Sequence, residues 1–349
     1  MNNRRKRHID WPAVAAAFVE RFSHEDLHPA ALLKARAIHR QETRRGGRPS
    51  RWALAFSGGA DSLALLLLLW AEGPGRWGRD FVVLHFDHRL RGRHSTADAR
   101  FCQEVCRALG ITCIVGRWRG ARRDASEAEA REARQAFFAA QMKRRRLRLL
   151  WLAHQQDDIA ETMLMRLARG SGTGGLAAPR PVQAQADGRF HLRPLLTLKK
   201  ADLVAALRAA GASWREDVSN SEPTHFRNRI RQSVLPAWQE AAGRDAMAGA
   251  AWSRELLEED DTALEAWVDR LAVVGRGELK VEKLAGLPRG VSRRALHRWL
   301  ISVRPDTDLS RQGFAQLLAK VEAGSDTRFS LGRTGFAVIR RGKLVYAKG

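Results

Sequence analysis

Three short segments carry residues whose types and spacing can do chemistry. The first is Ser57-Gly58-Gly59-Ala60-Asp61-Ser62. Two adjacent glycines allow a tight turn that brings several backbone N–H groups to one anion. Ser57 and Ser62 add hydroxyl donors, and a helix opening at the turn adds the positive end of its dipole. Asp61 would repel a bare phosphate, so its presence implies a divalent cation between the two. No Gly-Lys-Ser/Thr is present, which separates this turn from the loop that serves cleavage at a γ-phosphate. An ordinary glycine turn with Asp and Ser capping a helix has the same composition. The apolar run before it and the helical pattern after it favour phosphate binding.

The second segment is His154-Gln155-Gln156-Asp157-Asp158-Ile159-Ala160-Glu161-Thr162. Asp157 and Glu161 are spaced i,i+4 and Asp158 and Glu161 i,i+3, so a helix gathers the three acids on neighbouring faces of one turn. Such a cluster can hold Mg²⁺ or accept a proton. Acids also stabilise any helix N-terminus, but a histidine and three acids at a ligand-facing edge suit catalysis, which makes His154, Asp157, Asp158 and Glu161 candidate catalytic residues. The third is His85-Phe86-Asp87-His88-Arg89-Leu90-Arg91. Here Asp87 and His88 can meet a nucleotide or an amine substrate, and Arg89 and Arg91 a phosphate; a solvated strand end would look alike.

These segments need a frame. Apolar runs at 52–56, 81–86, 111–115 and 147–153 alternate with helical patterns at 62–71, 95–109, 125–145 and 157–168. This alternation predicts an α/β fold, a doubly wound parallel sheet with helices on both faces. All three segments then lie at the carboxyl edge of the strands, where such sheets bind ligands. After Gly170 the pattern changes to Gly-, Ser- and Pro-containing loops at 170–175 and 179–188, an amphipathic helix at 199–210, and mostly helix from about 226 to 323. One or two terminal strands are expected in 328–346. The expected domains are a basic N-terminal extension (1–50, with one helix at 11–22), a catalytic domain (51–235) and a mostly helical domain with terminal strands (236–349), the boundary falling within 222–245.

Composition bounds the rest. The chain has 349 residues, enough for about two domains. Its 44% hydrophobic and 28% charged residues describe a globular protein. Three cysteines exclude a disulfide framework and fit a cytoplasmic setting. The longest apolar stretch, 63–71, is about half of what a membrane span needs. The start is basic but has no apolar core, so it is no secretory signal, and Asp10, Glu20, Glu25 and Asp26 argue against a transit peptide. The net charge is +23, from 61 Lys plus Arg against 38 Asp plus Glu, and most of the cations are arginines. Guanidinium forks suit phosphate, so a nucleic-acid partner is expected. Arg131, Arg134, 143–146 and 227–231 supply local basic runs.

Taken together the motifs resemble a known family. Ser57 to Ser62 resembles the SGGxDS loop of the N-type ATP pyrophosphatase (PP-loop) superfamily. Asp87-His88-Arg89-Leu90-Arg91, the E-x-R-x-x-R pattern of Glu129, Arg131 and Arg134, and the AHxxDDxxET pattern of 153–162 narrow the match. So do Arg169-Gly170-Ser171-Gly172, Arg193-Pro194-Leu195-Leu196, Asp217-Val218-Ser219-Asn220, Arg227-Asn228-Arg229-Ile230-Arg231 and Val234-Leu235-Pro236. Over about 52–238 the chain is similar to the tRNA(Ile)-lysidine synthase family.

The resemblance implies that ATP adenylates C2 of the wobble cytidine in an isoleucine tRNA with a CAU anticodon, and that free L-lysine then displaces AMP. It implies ATP on Ser57, Gly58, Gly59, Ala60, Asp61 and Ser62, with Mg²⁺ on Asp61 and Asp157. Asp157 or Asp158 would be the base for the lysine ammonium. Asp87, His88, Arg131, Arg169 and Gly170 would line a lysine or nucleotide pocket, and Arg227, Asn228 and Arg231 would meet tRNA or AMP phosphates. A homodimer is one option for assembly. The alternative is a PP-loop tRNA thiolase, which also adenylates a base carbonyl; against it, no C-x-x-C exists, and Cys102, Cys106 and Cys113 fit core positions. A nucleic-acid-binding protein with a dead nucleotide fold shares the arginine richness but has no use for an intact turn and acid cluster.

Overall fold

The structure, a computed structural model, describes residues 9–44, 52–76, 81–89, 93–122, 125–216, 226–305, 307, 309–332 and 335–348. Arg91, Asp217 to Asn220 and the basic stretch 45–51 lie outside the described residues. The first compact unit runs from Met1 to Arg254 and the second from Glu255 to Gly349.

The first unit opens with α1 (Trp11–Val19) and α2 (Pro29–Arg44), followed by β1 (Trp52–Ala55), α3 (Ala60–Arg76) and β2 (Phe81–Asp87). Then come α4 (Arg93–Ala108), β3 (Thr112–Arg117), α5 (Glu127–Arg144), β4 (Leu149–Trp151) and α6 (Gln156–Leu167). A short α7 (Thr173–Leu176), β5 (Val182–Ala184), β6 (Phe190–Leu192) and α8 (Lys200–Ala209) complete the sheet and its cover. The sheet order is β3-β2-β1-β4-β6-β5, parallel except for β5 against β6.

β1 is central because its residues are apolar on both faces. Trp52, Leu54 and Phe56 join the core under α1 to α4 and α8, while Ala53 joins Leu84, Leu150, Phe138 and Met142 under α5. Seven consecutive residues of α3, Leu63 to Leu69, are at most 1% exposed, which explains why that helix is apolar on all sides. Ala53 pairs with Val82 on one side and with Leu150 on the other. The chain therefore leaves β1 towards β2 and β3 and returns on the other side at β4. The order reverses between β1 and β4, the place where an open α/β sheet leaves a crevice at its carboxyl edge.

The N-terminal segment is not an appendage. α1 buries Trp11, Val14, Ala15 and Phe18, and α2 buries Ala31, Leu32, Ala35 and Ile38, all in the same core as α3. α1 carries no charged side chain, and in α2 the apolar stripe outweighs the basic face. The expected boundary at 235/236 also differs from the division into compact units at 254/255, because α9 (Phe226–Arg229), a π-helical turn (Ile230–Val234) and α10 (Leu235–Ala242) pack with α6. α11 (Ala246–Leu271) spans the division.

The second unit is less helical than its composition suggests. β7 (Glu278–Lys280) precedes α12 (Arg289–Val303) and α13 (Arg311–Ala323), and β8 (Thr327–Ser330), β9 (Gly335–Arg340) and β10 (Lys343–Lys348) follow. These strands form an antiparallel sheet in the order β7-β10-β9-β8, around Trp299, Leu296, Leu317, Ala337, Ile339 and Leu344. Three terminal strands replace the expected one or two, and the three-residue β7 is too short to show a period of two.

Candidate active site at the carboxyl edge of the sheet

The Ser57–Ser62 turn leaves β1 and enters α3. Gly58 has φ +91, which strains any residue with a side chain, and a Cβ there would press on Cys102 Sγ at 3.2 Å. The turn is held by its own hydroxyls. Ser62 Oγ donates to Gly59 O at 3.0 Å and accepts from Ser57 N at 3.2 Å, and the two serine hydroxyls lie 3.0 Å apart. Arg215 clamps the turn from outside: its N–H donates to Gly58 O at 2.9 Å and its Nε to Asp98 at 2.7 Å. A rigid loop thus faces the N-terminal end of a 17-residue helix, the arrangement that binds anions.

The acid segment leaves β4, the neighbour of β1, and the two loops meet. Gln155 caps α6, its side chain accepting from Asp157 N at 2.6 Å while Asp158 accepts from Gln155 N at 3.0 Å. The carboxylates then part company. Asp157 and Asp61 face each other's charge, and Lys200, the first residue of α8, stands with both. Its Nζ is 3.9 Å from Asp61, and its backbone N–H donates to Asp157 at 3.4 Å. Burial raises the Asp61 carboxyl to about 6, with Lys200 opposing and Asp158 reinforcing the shift. Burial also raises Asp157. Oδ1 of Asp61 is shielded from water with no hydrogen-bond partner among the described residues.

Asp158 and Glu161 have other partners. Arg227 donates from Nη2 to Asp158 at 2.5 Å and from Nε to Glu161 at 2.6 Å. Arg231 donates from Nε to Glu161 at 2.5 Å and from Nη2 at 3.0 Å. Glu161 is fully buried. Of the expected tRNA-binding trio, half-buried Arg227 and Arg231 pair with the acids and Asn228 is buried. Glu161, expected to be catalytic, holds both arginines from a buried position. The i,i+4 spacing of the two arginines puts both forks on the face towards α6.

His154 follows β4, and its pKa lies well below the usual value, through burial first and then the charges of Arg193, Arg227, Arg134 and Arg131. Asp87 is buried at the end of β2 and caps Arg89 N at 2.8 Å, and His88 stands edge-on to Phe86. Arg169 and Gly170 follow the far end of α6, a helix about 18 Å long, and so are not joined to Asp157. Arg131 is exposed on α5 and acts on Arg166, beside Arg169.

Lys200 and Arg215 were absent from the sequence candidates. A lysine in the first turn of a helix opposes the dipole, and that was the available signal for Lys200. Arg215 gave none. The cysteines are free, and the thiols of Cys102 and Cys106 are driven up, by burial for the first and by a hydrogen bond to Cys113 and burial for the second. For these two this is the opposite of a reactive thiolate, while the hydrogen bond with Cys106 lowers Cys113.

Two carboxylates and a phosphate cradle fit Mg²⁺, which usually takes one or two protein carboxylates and completes its shell with phosphate oxygens and water. Among the described residues no group of three or more His, Cys, Asp or Glu forms a metal cage. No described helix is long and apolar enough to cross a membrane.

The PP-loop domain family matches residues 33–238. Among curated proteins the chain is similar to a tRNA(Ile)-lysidine synthase of Bacillus licheniformis, 37% identical over 69% of this chain and 52% of that one. A tRNA(Ile)-lysidine synthase of Geobacter sulfurreducens is 35% identical over 82% of this chain and 61% of that one. One from Xanthomonas campestris pv. campestris is 38% identical over 72% and 58%. The chain spans roughly half to three-fifths of the length of these relatives.

Proposed function

The chain belongs to the PP-loop domain family, and from that premise we propose that it joins L-lysine to C2 of the wobble cytidine of an isoleucine tRNA with a CAU anticodon, using ATP and releasing AMP and pyrophosphate. The observation that carries this reading is the meeting of the Ser57–Ser62 turn with the Asp157 segment at the β1/β4 crevice. The names of the similar curated proteins supply the substrates.

Each residue then has a task. The amides and hydroxyls of the turn hold the two phosphates that leave as the base oxygen takes AMP. Asp61 and Asp157 would hold Mg²⁺, which supplies charge neutralisation on those phosphates. The incoming lysine must lose a proton from its ε-ammonium before the amine attacks C2. Asp157 suits that task better than Asp158, because Asp158 is committed to Arg227 and to its helix cap. Lys200 holds both carboxylates in place. The free cysteines fit a cytoplasmic setting for this reaction.

The test is transfer of radiolabelled lysine to an isoleucine tRNA transcript with and without ATP, with AMP counted against lysine incorporated. Equal amounts of both products are expected. An absence of transfer with ATP, Mg²⁺ and tRNA present, or full transfer by Asp61→Ala or Asp157→Ala, would overturn the reading.

A further inference from the structure

The antiparallel sheet of the second unit has one covered face and one open face. Along β9 and β10 successive residues point to opposite sides. Ala337, Ile339 and Leu344 enter the core together with Leu279 of β7. Phe336, Val338 and Val345 point the other way and join no buried cluster, and Val345 is 37% exposed.

The register gathers cations on that open face. Lys343 of β10 stands opposite Lys280 of β7 on one side and Arg340 of β9 on the other. Residues directly opposite in an antiparallel pair share a face, and like charges so placed repel. In the next row Val345 lies between Glu278 and Val338, and Val338 stands opposite Arg328 of β8. Arg328 reaches diagonally to Phe336, its guanidinium 3.6 Å from the ring centroid. The nearby acids are few. Glu278 takes Lys343 Nζ at 3.2 Å, Asp326 accepts from Arg341 N at 3.2 Å, and Glu282 lies against Gly342 in the β9–β10 turn. Among the described residues Lys280, Arg328 and Arg340 make no ion pair.

We propose that this face binds a segment of single-stranded RNA, one base stacking on the Arg328–Phe336 pair and the neighbouring phosphates lying along Arg340, Lys343 and Lys280. A guanidinium laid on an aromatic ring keeps its other plane free for a base, and the cationic row is complementary to the phosphates. Val338 and Val345 form the apolar floor between the two. Single-stranded RNA meets sheet faces in this way, with unstacked bases on aromatic or guanidinium planes. A duplex hides its base planes and fits the cationic row alone. A second copy of the chain, meeting this face with its own, would set cations against cations, so charge opposes that occupant. The surface belongs to the second unit and does not rest on the lysine-transfer reaction.

The experiment measures binding to the full chain of an unstructured single-stranded RNA, a duplex RNA of the same length and inorganic polyphosphate, across a salt series. Arg328→Lys keeps the charge and removes the plane. A double variant, Arg340→Ala with Lys343→Ala, removes two cations of the row, and Arg293→Ala on α12 controls for general surface charge. All four positions are exposed, so the fold is spared, and equal melting temperatures check this. Arg328→Lys is expected to weaken the single strand about fivefold or more and to leave duplex and polyphosphate unchanged. The double variant is expected to weaken all three probes and to lower the salt slope for the single strand by about 1.4. A strand carrying 4-thiouridine, irradiated on the protein, is expected to crosslink within 328–348. Single-strand binding that is unchanged in both variants, or that falls equally in Arg293→Ala, overturns the proposal. So does an equal loss of single strand and duplex in Arg328→Lys, crosslinking confined to residues before 255, or a dimer that the double variant dissociates while RNA binding stands. Lysine transfer is no part of this readout, so its absence bears on the proposed reaction alone.

Discussion

Replacing Glu161 by Gln separates two roles that the sequence could not distinguish, anchor and catalyst. The carboxylate is fully buried and receives Arg227 Nε at 2.6 Å, Arg231 Nε at 2.5 Å and Arg231 Nη2 at 3.0 Å. Glutamine keeps the shape but removes the charge and turns an NH₂ group against donors. A hydrogen bond to a charged group contributes roughly 1.5–3 kcal/mol, and removing one side of a buried pair costs about 3–5 kcal/mol. The Arg227 and Arg231 side chains are 24% and 30% exposed and can turn partly to water, so the lower end, about 3 kcal/mol, is expected. At about 2 °C per kcal/mol for a unit running from Met1 to Arg254, the melting temperature falls by roughly 6 °C. Thermal unfolding followed by circular dichroism reads this directly. A variant that melts within about one degree of the parent while losing lysine transfer would refute the reasoning, because Glu161 would then act on substrate.

Three further outcomes follow from the same geometry. Gly58→Ala places a side chain at φ +91 and 3.2 Å from Cys102 Sγ, so ATP binding weakens about tenfold or more in a nucleotide titration, with the rest of the fold retained. Asp61 has its carboxyl raised to about 6 against 3.8 when unfolded, so the ionised form weakens the fold above pH 6 and this penalty is absent below 3.8. Asp61→Asn therefore melts higher than the parent at pH 8 and equally at pH 3.5, and Lys200→Met moves the acid limb of the pH–rate profile to higher pH by removing the opposing charge. Phe18→Ala, in a helix outside the sheet but in its core, costs about 3–5 kcal/mol in denaturant unfolding.

Much of the frame was legible because its strands are buried on both faces. Trp52 to Phe56 and Phe81 to Phe86 read as buried strands, and the glycines after the first as a turn. β5 and β6 escaped notice because each has three residues and lies at or beside a half-exposed edge. α2 was hidden by its own charge: Ala31, Leu32, Ala35 and Ile38 do form a stripe, but arginines and acids surround it. In the site, the turn and the acids were legible from spacing alone. Their pairing was not, since Arg227 and Arg231 lie 66 and 70 residues from Glu161 and nothing local says that two guanidiniums will claim it. An arginine motif in a chain of net charge +23 invites a nucleic-acid reading, and the buried carboxylate proved the nearer partner.

The most direct measurement is a crystal structure of the chain with a non-hydrolysable ATP analogue and Mg²⁺. The expected density has the β- and γ-phosphates on the backbone amides of Gly58 to Ser62, with Asp61 and Asp157 turned to the same ion. Nucleotide bound elsewhere, with that turn touching no phosphate, would contradict the central claim.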